Sequence, residues 1–398
     1  MNRRDFLSGA LAVSAIGILP SISQAATADN INDVLSEHKL HSLEIRRVAL
    51  RYPRLVGKNS HLGVHGRGPD VTVCIIRTDK GACGWGHLLC GRDRANELFA
   101  QLKGRPLTEL FLCETGTINK DAMPFDFALH DLAGVIANLP VYKMLGAKGP
   151  KSNLCYSGMV YFDDLEPAET PQGISAVLRN AHYDYDYGYR QLKLKIGRGY
   201  KWMDKNAGLM RDIAVTRAIA SELPGVEILV DGNDGFTLAE FKSYIDGIGN
   251  VPLFWIEEPF RETVADYRAL REHLVNTGKA RTLLADGEAN PQPEFIAELI
   301  RDRVIDVNLF DICWYSFTGW RKLLAELKTA GALASPHAWG DALKTNYTAH
   351  LASGLGGVVT IEGVTCTSED VDLSTFKLES GRIVTPDKPG FGMELKQS

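Results

Sequence analysis

No run of lysine or arginine interrupts this sequence, and its formal net charge of −5 over 398 residues is mild. It therefore offers no electrostatic footprint for a nucleic-acid partner. An anionic ligand must instead be met by a few local cations. The seven cysteines, Cys74, Cys83, Cys90, Cys113, Cys155, Cys313 and Cys366, are odd in number and include no Cys-x-x-Cys pair. That argues against a structural zinc site and against a disulfide framework. Most of them stand among apolar residues and read as buried free thiols. Beyond the N terminus no stretch is apolar enough to span a membrane. With 45% hydrophobic and 23% charged residues, the composition is that of a folded globular chain with room for two domains and a large core.

The first thirty residues, "MNRRDFLSGALAVSAIGILPSISQAATADN", place Arg3 and Arg4 before Phe6 and Leu7 and then an apolar run from Gly9 to Ile22. Residues 1–25 resemble a twin-arginine export signal, with Ser23-Gln24-Ala25 as the cleavage site. A membrane-anchoring helix fits less well, because the run is short and holds Gly, Ser and Pro20. The resemblance implies a periplasmic protein exported already folded, with no membrane anchor after processing.

From Leu43 to about Gly86, "LEIRRVALRYP" and "VTVCIIRTDKGACGWG" alternate in strand fashion around the loop "GKNSHLGVHGRG", which predicts an antiparallel pair. From Asp121 to Leu145 the apolar residues Phe127, Leu129, Leu132, Ala133 and Ile136 recur at helical spacing. Residues 43–150 thus read as an α+β unit. After Gly149 short apolar strands alternate with helical stretches. The strands end at Lys195, Asp231, Glu257, Glu288, Asp311, His337 and Glu362, with successive gaps of 36, 26, 31, 23, 26 and 25 residues. Each gap is the length of one β/α unit. With "NLCYSGMVYF" from Asn153 as the first, there are eight strands, which predicts an α/β fold with a parallel TIM-like barrel over 151–375. The active site of such a barrel lies at the C-terminal ends of its strands, where all seven polar residues fall.

The strand "QLKLKIG" puts Leu192, Leu194 and Ile196 on one face and Lys193 and Lys195 on the other, the lysines about 7 Å apart. On an open sheet this would be a wet face; in a closed barrel the ammonium groups point inward. Burying such a pair is costly unless it is used. Two neighbouring cations and a nearby metal are expected to lower a lysine from its usual pKa of about 10.4 toward neutrality, which makes it a base. Asp231, Glu257 and Glu288 end consecutive strands and would converge. Singly, each reads as a helix N-cap or loop charge. Together they repel, and a hard dication with oxygen ligands, Mg²⁺, resolves the repulsion. Asp311 and His337 end the strands opposite, an arrangement in which a carboxylate orients and charges an imidazole. Glu362 is either a protonated acid donating a hydrogen bond or a capping group.

These residues resemble the enolase superfamily and, within it, the mandelate racemase family. The matching motifs are "KLK" (Lys193, Lys195), "DGN" (Asp231, Asn233), "IEEP" (Glu257), "DGE" (Glu288), the aspartate after "DVNLF" (Asp311), "PHAWG" (His337) and the closing "PDKPGFGME". The resemblance implies a (β/α)7β barrel with an N-terminal capping domain completed by the tail 376–398. It also implies Mg²⁺-dependent removal of the proton α to a carboxylate, through an enediolate. It makes Asp231, Glu257 and Glu288 the metal ligands, with Glu258 behind them. Lys195 becomes the base on one face, tuned by Lys193, and His337 with Asp311 the acid or base on the other. Glu362 would hydrogen-bond the substrate carboxylate, and Asn233 would contact substrate.

The chain departs from the family pattern where Leu309-Phe310 replaces Gln-Pro before the dyad aspartate and "CWYSFTG" replaces a Gly-Gly turn. Trp314, Tyr315 and Phe317 are expected to narrow the pocket, with Trp314 touching substrate. Lys344 and the loop from Lys58 to Arg67 are further candidates for substrate contact. The expected activity is dehydration of a sugar acid of aldonate or aldarate type, with racemisation or epimerisation of a 2-hydroxy acid as the alternative. A non-catalytic periplasmic binding protein is the minor one, since no ligand or base is missing. The expected partner is a small carboxylate, and the expected assembly a homo-oligomer.

Overall fold

The turn at Asp79–Gly81 splits the apolar stretch that reads as a single strand from Val71 to Gly86. In the computed structural model, which describes residues 28–396, Asp70–Thr78 and Cys83–His87 form a hairpin. With Leu40–Ala49 they make a three-stranded antiparallel sheet in place of the expected pair. Gly81, at φ +83°, supplies the left-handed conformation the turn needs. A helix the sequence did not suggest, Ala28–Ser36, precedes the sheet. The proposed export signal lies outside the described residues.

The sheet packs on helix Asp126–Ile136, and two glycines set how closely. A Cβ on Gly84 would lie 2.3 Å from Leu132 N, and one on Gly86 would lie 2.6 Å from Phe127 Cβ. The helix is buried on nearly every face, as a helix between two layers must be. It is shorter than the periodicity implies because Asn138, at φ +52°, and Pro140 end it. Asp131 on this helix accepts from Trp85 N of the hairpin and Phe391 N of the tail. Gly390 O accepts from Val141 N, so the tail closes the cap.

Eight parallel strands follow: Ser152–Val160, Gln191–Lys195, Glu227–Asp231, Trp255–Glu257, Leu283–Asp286, Val307–Asn308, Leu333–Ala334 and Ile361–Gly363. They pair in sequence order and the eighth returns to the first; a single bridge, Ala334 to Val358, joins the seventh to the last. Seven helices of nine residues or more alternate with them, from Ile174–Tyr187 to Ala342–Leu355. This is the (β/α)7β barrel. Tyr156, Leu229, Trp255, Ala285, Val307 and Leu309 fill its interior as an apolar cluster, and the charged residues stand above this dry floor. After the barrel, Arg382–Val384 pairs antiparallel with the start of the first strand. All seven cysteines are free thiols. Among the described residues no helix is long and apolar enough to cross a membrane.

Candidate active site

The second barrel strand carries Lys193 and Lys195 on its inward face, while Leu192, Leu194 and Ile196 join the core outside. Lys193 Nζ lies 2.9 Å from Glu257 Oε1, 2.9 Å from Glu362 Oε1 and 3.2 Å from Asp231 Oδ2. Lys195 Nζ donates to the same Asp231 oxygen. Both lysines are buried. Burial is the largest single effect and disfavours their charge, but Asp231, Glu288 and Glu257 together outweigh it at Lys195, and Glu257, Glu362 and Asp231 do so together at Lys193. Each is held above its ordinary pKa, so the mutual lowering expected of the pair is overridden by the carboxylates around them. The rings of Tyr156 and Tyr161 stand 5.6 and 5.4 Å from the two ammonium groups, within cation–π range.

Asp231 and Glu257 are the last residues of adjacent strands in register, and Glu288 lies two residues past its strand. One oxygen from each falls within 4.8 Å of the others. None of the three caps a helix; in this part of the barrel Asp204, Thr237 and Thr263 do so. Glu257 Oε2 and Glu288 Oε2 are buried without a hydrogen-bond partner. Burial and the neighbouring Asp231 charge push Glu257 well above the carboxylate range. A hard dication shared among the three carboxylates meets both conditions, so the residues fit Mg²⁺. Glu258 stands behind them: its Oε1 accepts from Glu288 N at 2.8 Å and Ala289 N at 2.6 Å, which fixes the turn that presents Glu288.

Across the mouth, Asp311 and His337 lie three residues beyond very short strands and are joined by a single parallel bridge. His337 Nδ1 is 2.9 Å from Asp311 Oδ2, which leaves Nε2 directed elsewhere, 3.2 Å from Glu288 Oε1 and 3.8 Å from Glu362 Oε2. Burial opposes the imidazolium, yet Glu288, Glu362 and Asp311 together raise it to about 10. Glu362 is fully buried. Its Oε2 accepts from Ala338 N at 2.8 Å, and Gly158 makes room for it, since a Cβ there would lie 2.5 Å from Glu362 Oε1.

Two residues expected to touch substrate stand against the dyad aspartate. Trp314 is 77% exposed and offers only its backbone N–H, which donates to Asp311 Oδ1. Lys344 Nζ donates to Asp311 Oδ2 at 2.8 Å and to Trp339 O at 3.1 Å, so it sits behind the dyad. Asn233, at φ +42°, keeps a buried Oδ1 without a partner, and its N–H donates to Asp231 Oδ1. The sequence did not single out Tyr156, Tyr161 or Trp339. The alternation of "NLCYSGMVYF" marks Tyr156 as inward; nothing local marks the other two. Within the loop 58–67, His65 packs against Tyr161 and Trp339 with ring centroids at 4.6 and 5.8 Å, and its Nδ1 donates to Gly57 O.

Comparison with known proteins places this geometry. The family described as "Enolase C-terminal domain-like" matches residues 176–398. Arabinonate dehydratase of Saccharolobus solfataricus is 26% identical over 279 residues, covering 68% of this chain and 68% of its own. L-galactonate dehydratase of Hypocrea jecorina is 27% identical, covering 87% and 90%. Galacturonate dehydratase from Geobacillus sp., solved with D-galacturonate and 5-keto-4-deoxy-D-galacturonate, superposes with a TM-score of 0.84 at 30% identity, covering 91% of this chain and 95% of that one. A mutant of galacturonate dehydratase from Geobacillus sp. is also known in complex with Mg. The chain therefore belongs to the enolase superfamily, among its mandelate racemase-like members.

Proposed function

We propose that the protein is a Mg²⁺-dependent dehydratase of sugar acids. The carrying observation is the placement of Lys195 and the His337–Asp311 pair on opposite walls above one carboxylate trio. The named relatives support the substrate class: arabinonate, galactonate and galacturonate are all polyhydroxy carboxylates. Asp231, Glu257 and Glu288 would hold Mg²⁺, which would supply positive charge to the substrate carboxylate; engaged in that way, the three anions would favour the lysine ammonium forms less. Lys195, as the amine, accepts the α-proton, and the electron pair of that C–H bond moves toward the carboxylate. Lys193 and Glu362 border the same oxygens. His337 donates its Nε2 proton to the β-hydroxyl, the C–O bond breaks, and water leaves. The enol that remains tautomerises to a keto acid lacking one hydroxyl. The two sugar acids bound to the Geobacillus enzyme differ in this way.

Dehydration is favoured over racemisation by the relatives, which are named as dehydratases of polyhydroxy carboxylates. The test is a panel of aldonates, aldarates and uronates in D₂O with Mg²⁺. A dehydrated keto acid is expected from at least one; α-deuteration with inversion and no loss of water would make the enzyme an epimerase instead.

We also propose export through the twin-arginine route, supported by Arg3 and Arg4 before the apolar run. Replacing both by lysine is expected to hold the precursor in the cytoplasm; unchanged periplasmic accumulation would refute it.

A further inference from the structure

Asp311 is anchored on both of its oxygens. Oδ1 accepts from the backbone N–H groups of Cys313, at 2.8 Å, and Trp314, at 3.0 Å. Oδ2 accepts from His337 Nδ1 at 2.9 Å and from Lys344 Nζ at 2.8 Å. The strands beneath offer little support, since Val307–Asn308 and Leu333–Ala334 are two residues each. Lys344 itself is held firmly. It lies in the first turn of helix Ala342–Leu355, where Asp341 caps its N–H, and its ammonium also donates to Trp339 O. Asp341 in turn reaches the cap, with Oδ2 3.2 Å from His87 Nε2. One cation thus joins the dyad carboxylate to the segment that follows His337 and, through Asp341, to the capping hairpin.

We infer that Lys344 is a positioning residue of the acid, the third member of a His337–Asp311–Lys344 array. It fixes the plane of the Asp311 carboxylate, and through it the tilt of the imidazole and the line along which Nε2 meets the leaving hydroxyl. A charge-assisted contact on the same oxygen as the histidine is a directional anchor that neither backbone N–H on Oδ1 can replace. The array makes no contact with Lys195, so its loss should leave the opposite wall intact. The catalytic part of this inference rests on the dehydratase reading above; the geometric part does not.

Two measurements test it, on the mature Mg²⁺-loaded protein. In protein labelled with ¹⁵N at histidine, the Nδ1–H signal of His337, assigned by its loss in His337→Asn, should be slow to exchange with water. In Lys344→Met it should broaden or vanish, while buried His130 and His350 keep their signals and Lys344→Arg retains that of His337. An unchanged His337 signal in Lys344→Met overturns the inference. On a sugar acid dehydrated by the wild type, Lys344→Met should lose about 100-fold in kcat for dehydration with little change in KM, as a displaced catalytic group does. Exchange of the α-proton with D₂O should stay near the wild-type rate, and Lys344→Arg should recover most of the loss. Equal losses of dehydration and exchange would mean a structural role and overturn the inference. Should the wild type dehydrate no sugar acid at all, the proposed reaction falls while the ring signal still decides for or against Lys344.

Discussion

The two walls of the barrel mouth are built differently. On the lysine side, the second, third and fourth strands run in register, so that Lys195 faces Asp231 and Asp231 faces Glu257 across the ladder. The wall is further held by fully buried Arg198, whose Nη1 lies 2.6 Å from Asp212 Oδ1 and whose Nη2 lies 2.7 Å from Asp164 Oδ1. The histidine side has almost no ladder, and its residues stand on loops after two-residue strands. It is braced from outside, where the cap meets it. Asp126 of the cap helix accepts from Thr318 N and Oγ1, Arg321 Nη2 donates to Cys113 O and Glu114 O, and His87 meets Asp341. One half of the site therefore rests on a strand ladder, which the cap touches where Ser60 Oγ donates to Gly232 O and Asn233 O, and the other rests on the junction between barrel and cap.

Removing what both walls share should have the largest effect. Chelation, or Glu257→Gln, is expected to cost at least about 1000-fold in kcat, because the stabilisation of developing charge is lost whichever wall acts. Mg²⁺ should restore the chelated enzyme, and activity surviving in metal-free protein would defeat the assignment of the trio.

The walls should then come apart under mutation. Lys195→Ala should abolish α-proton exchange and dehydration together. His337→Asn should lose dehydration by about 100- to 10,000-fold, the usual contribution of a general acid, while exchange persists. NMR of deuterium incorporation follows both, with metal binding checked first. Loss of exchange in His337→Asn to the level seen in Lys195→Ala would erase the distinction between the walls.

This difference in construction explains how much the sequence could reveal. An in-register strand displays its inward residues at every second position, so "QLKLKIG" and the acids at the next two strand ends could be placed by alternation alone. The three-residue overshoot of Asp311 and His337 breaks that rule, and their pairing came instead from the regular spacing of successive strand ends and from family resemblance. The placement of Lys344 against Asp311 and of the Trp314 ring in solvent was not legible for the same reason: near a loop, proximity in sequence to a site residue does not say which way a side chain turns. The hairpin in the cap was hidden because apolar residues run through Asp70–Thr78 and Cys83–His87 with only Asp-Lys-Gly-Ala between them.

Support for each wall can be weakened separately. Arg198→Met leaves buried Asp212 without its cation and Asp164 with Arg211 alone, and should cost about 3–5 kcal/mol of stability, read by urea unfolding. The lysine-dependent exchange should suffer with it. Gly84→Ala forces a Cβ against Leu132 N and should cost about 1–3 kcal/mol through overpacking. Because the cap braces the histidine wall, that variant should slow dehydration more than exchange; an equal slowing would argue that the cap supports both walls alike.

The smallest effect concerns the clamp itself and is read in the acid limb of stability. Asp126 is fully buried, which by itself would raise its pKa. The charge of His130 and the hydrogen bonds from His130, Thr117 and Thr318 more than compensate, and its pKa is lowered to about 2. A carboxylate depressed in the folded state stabilises the fold above its unfolded pKa of about 3.9, and that contribution is lost as the pH falls through the folded value. The window is therefore about pH 4 down to about 2, and the contribution is on the order of 2 kcal/mol. Asp126→Asn should remove this part of the acid limb, so that the stability difference between wild type and variant, measured by urea unfolding, shrinks as the pH drops from 5 to 2. Thr318→Val, which deletes one of the two bonds from the barrel, should narrow the window from its acid end. A difference between wild type and Asp126→Asn that stays constant across the range would mean that the clamp acts through shape rather than charge, and the histidine wall would then owe its bracing to Arg321 and to the His87–Asp341 contact.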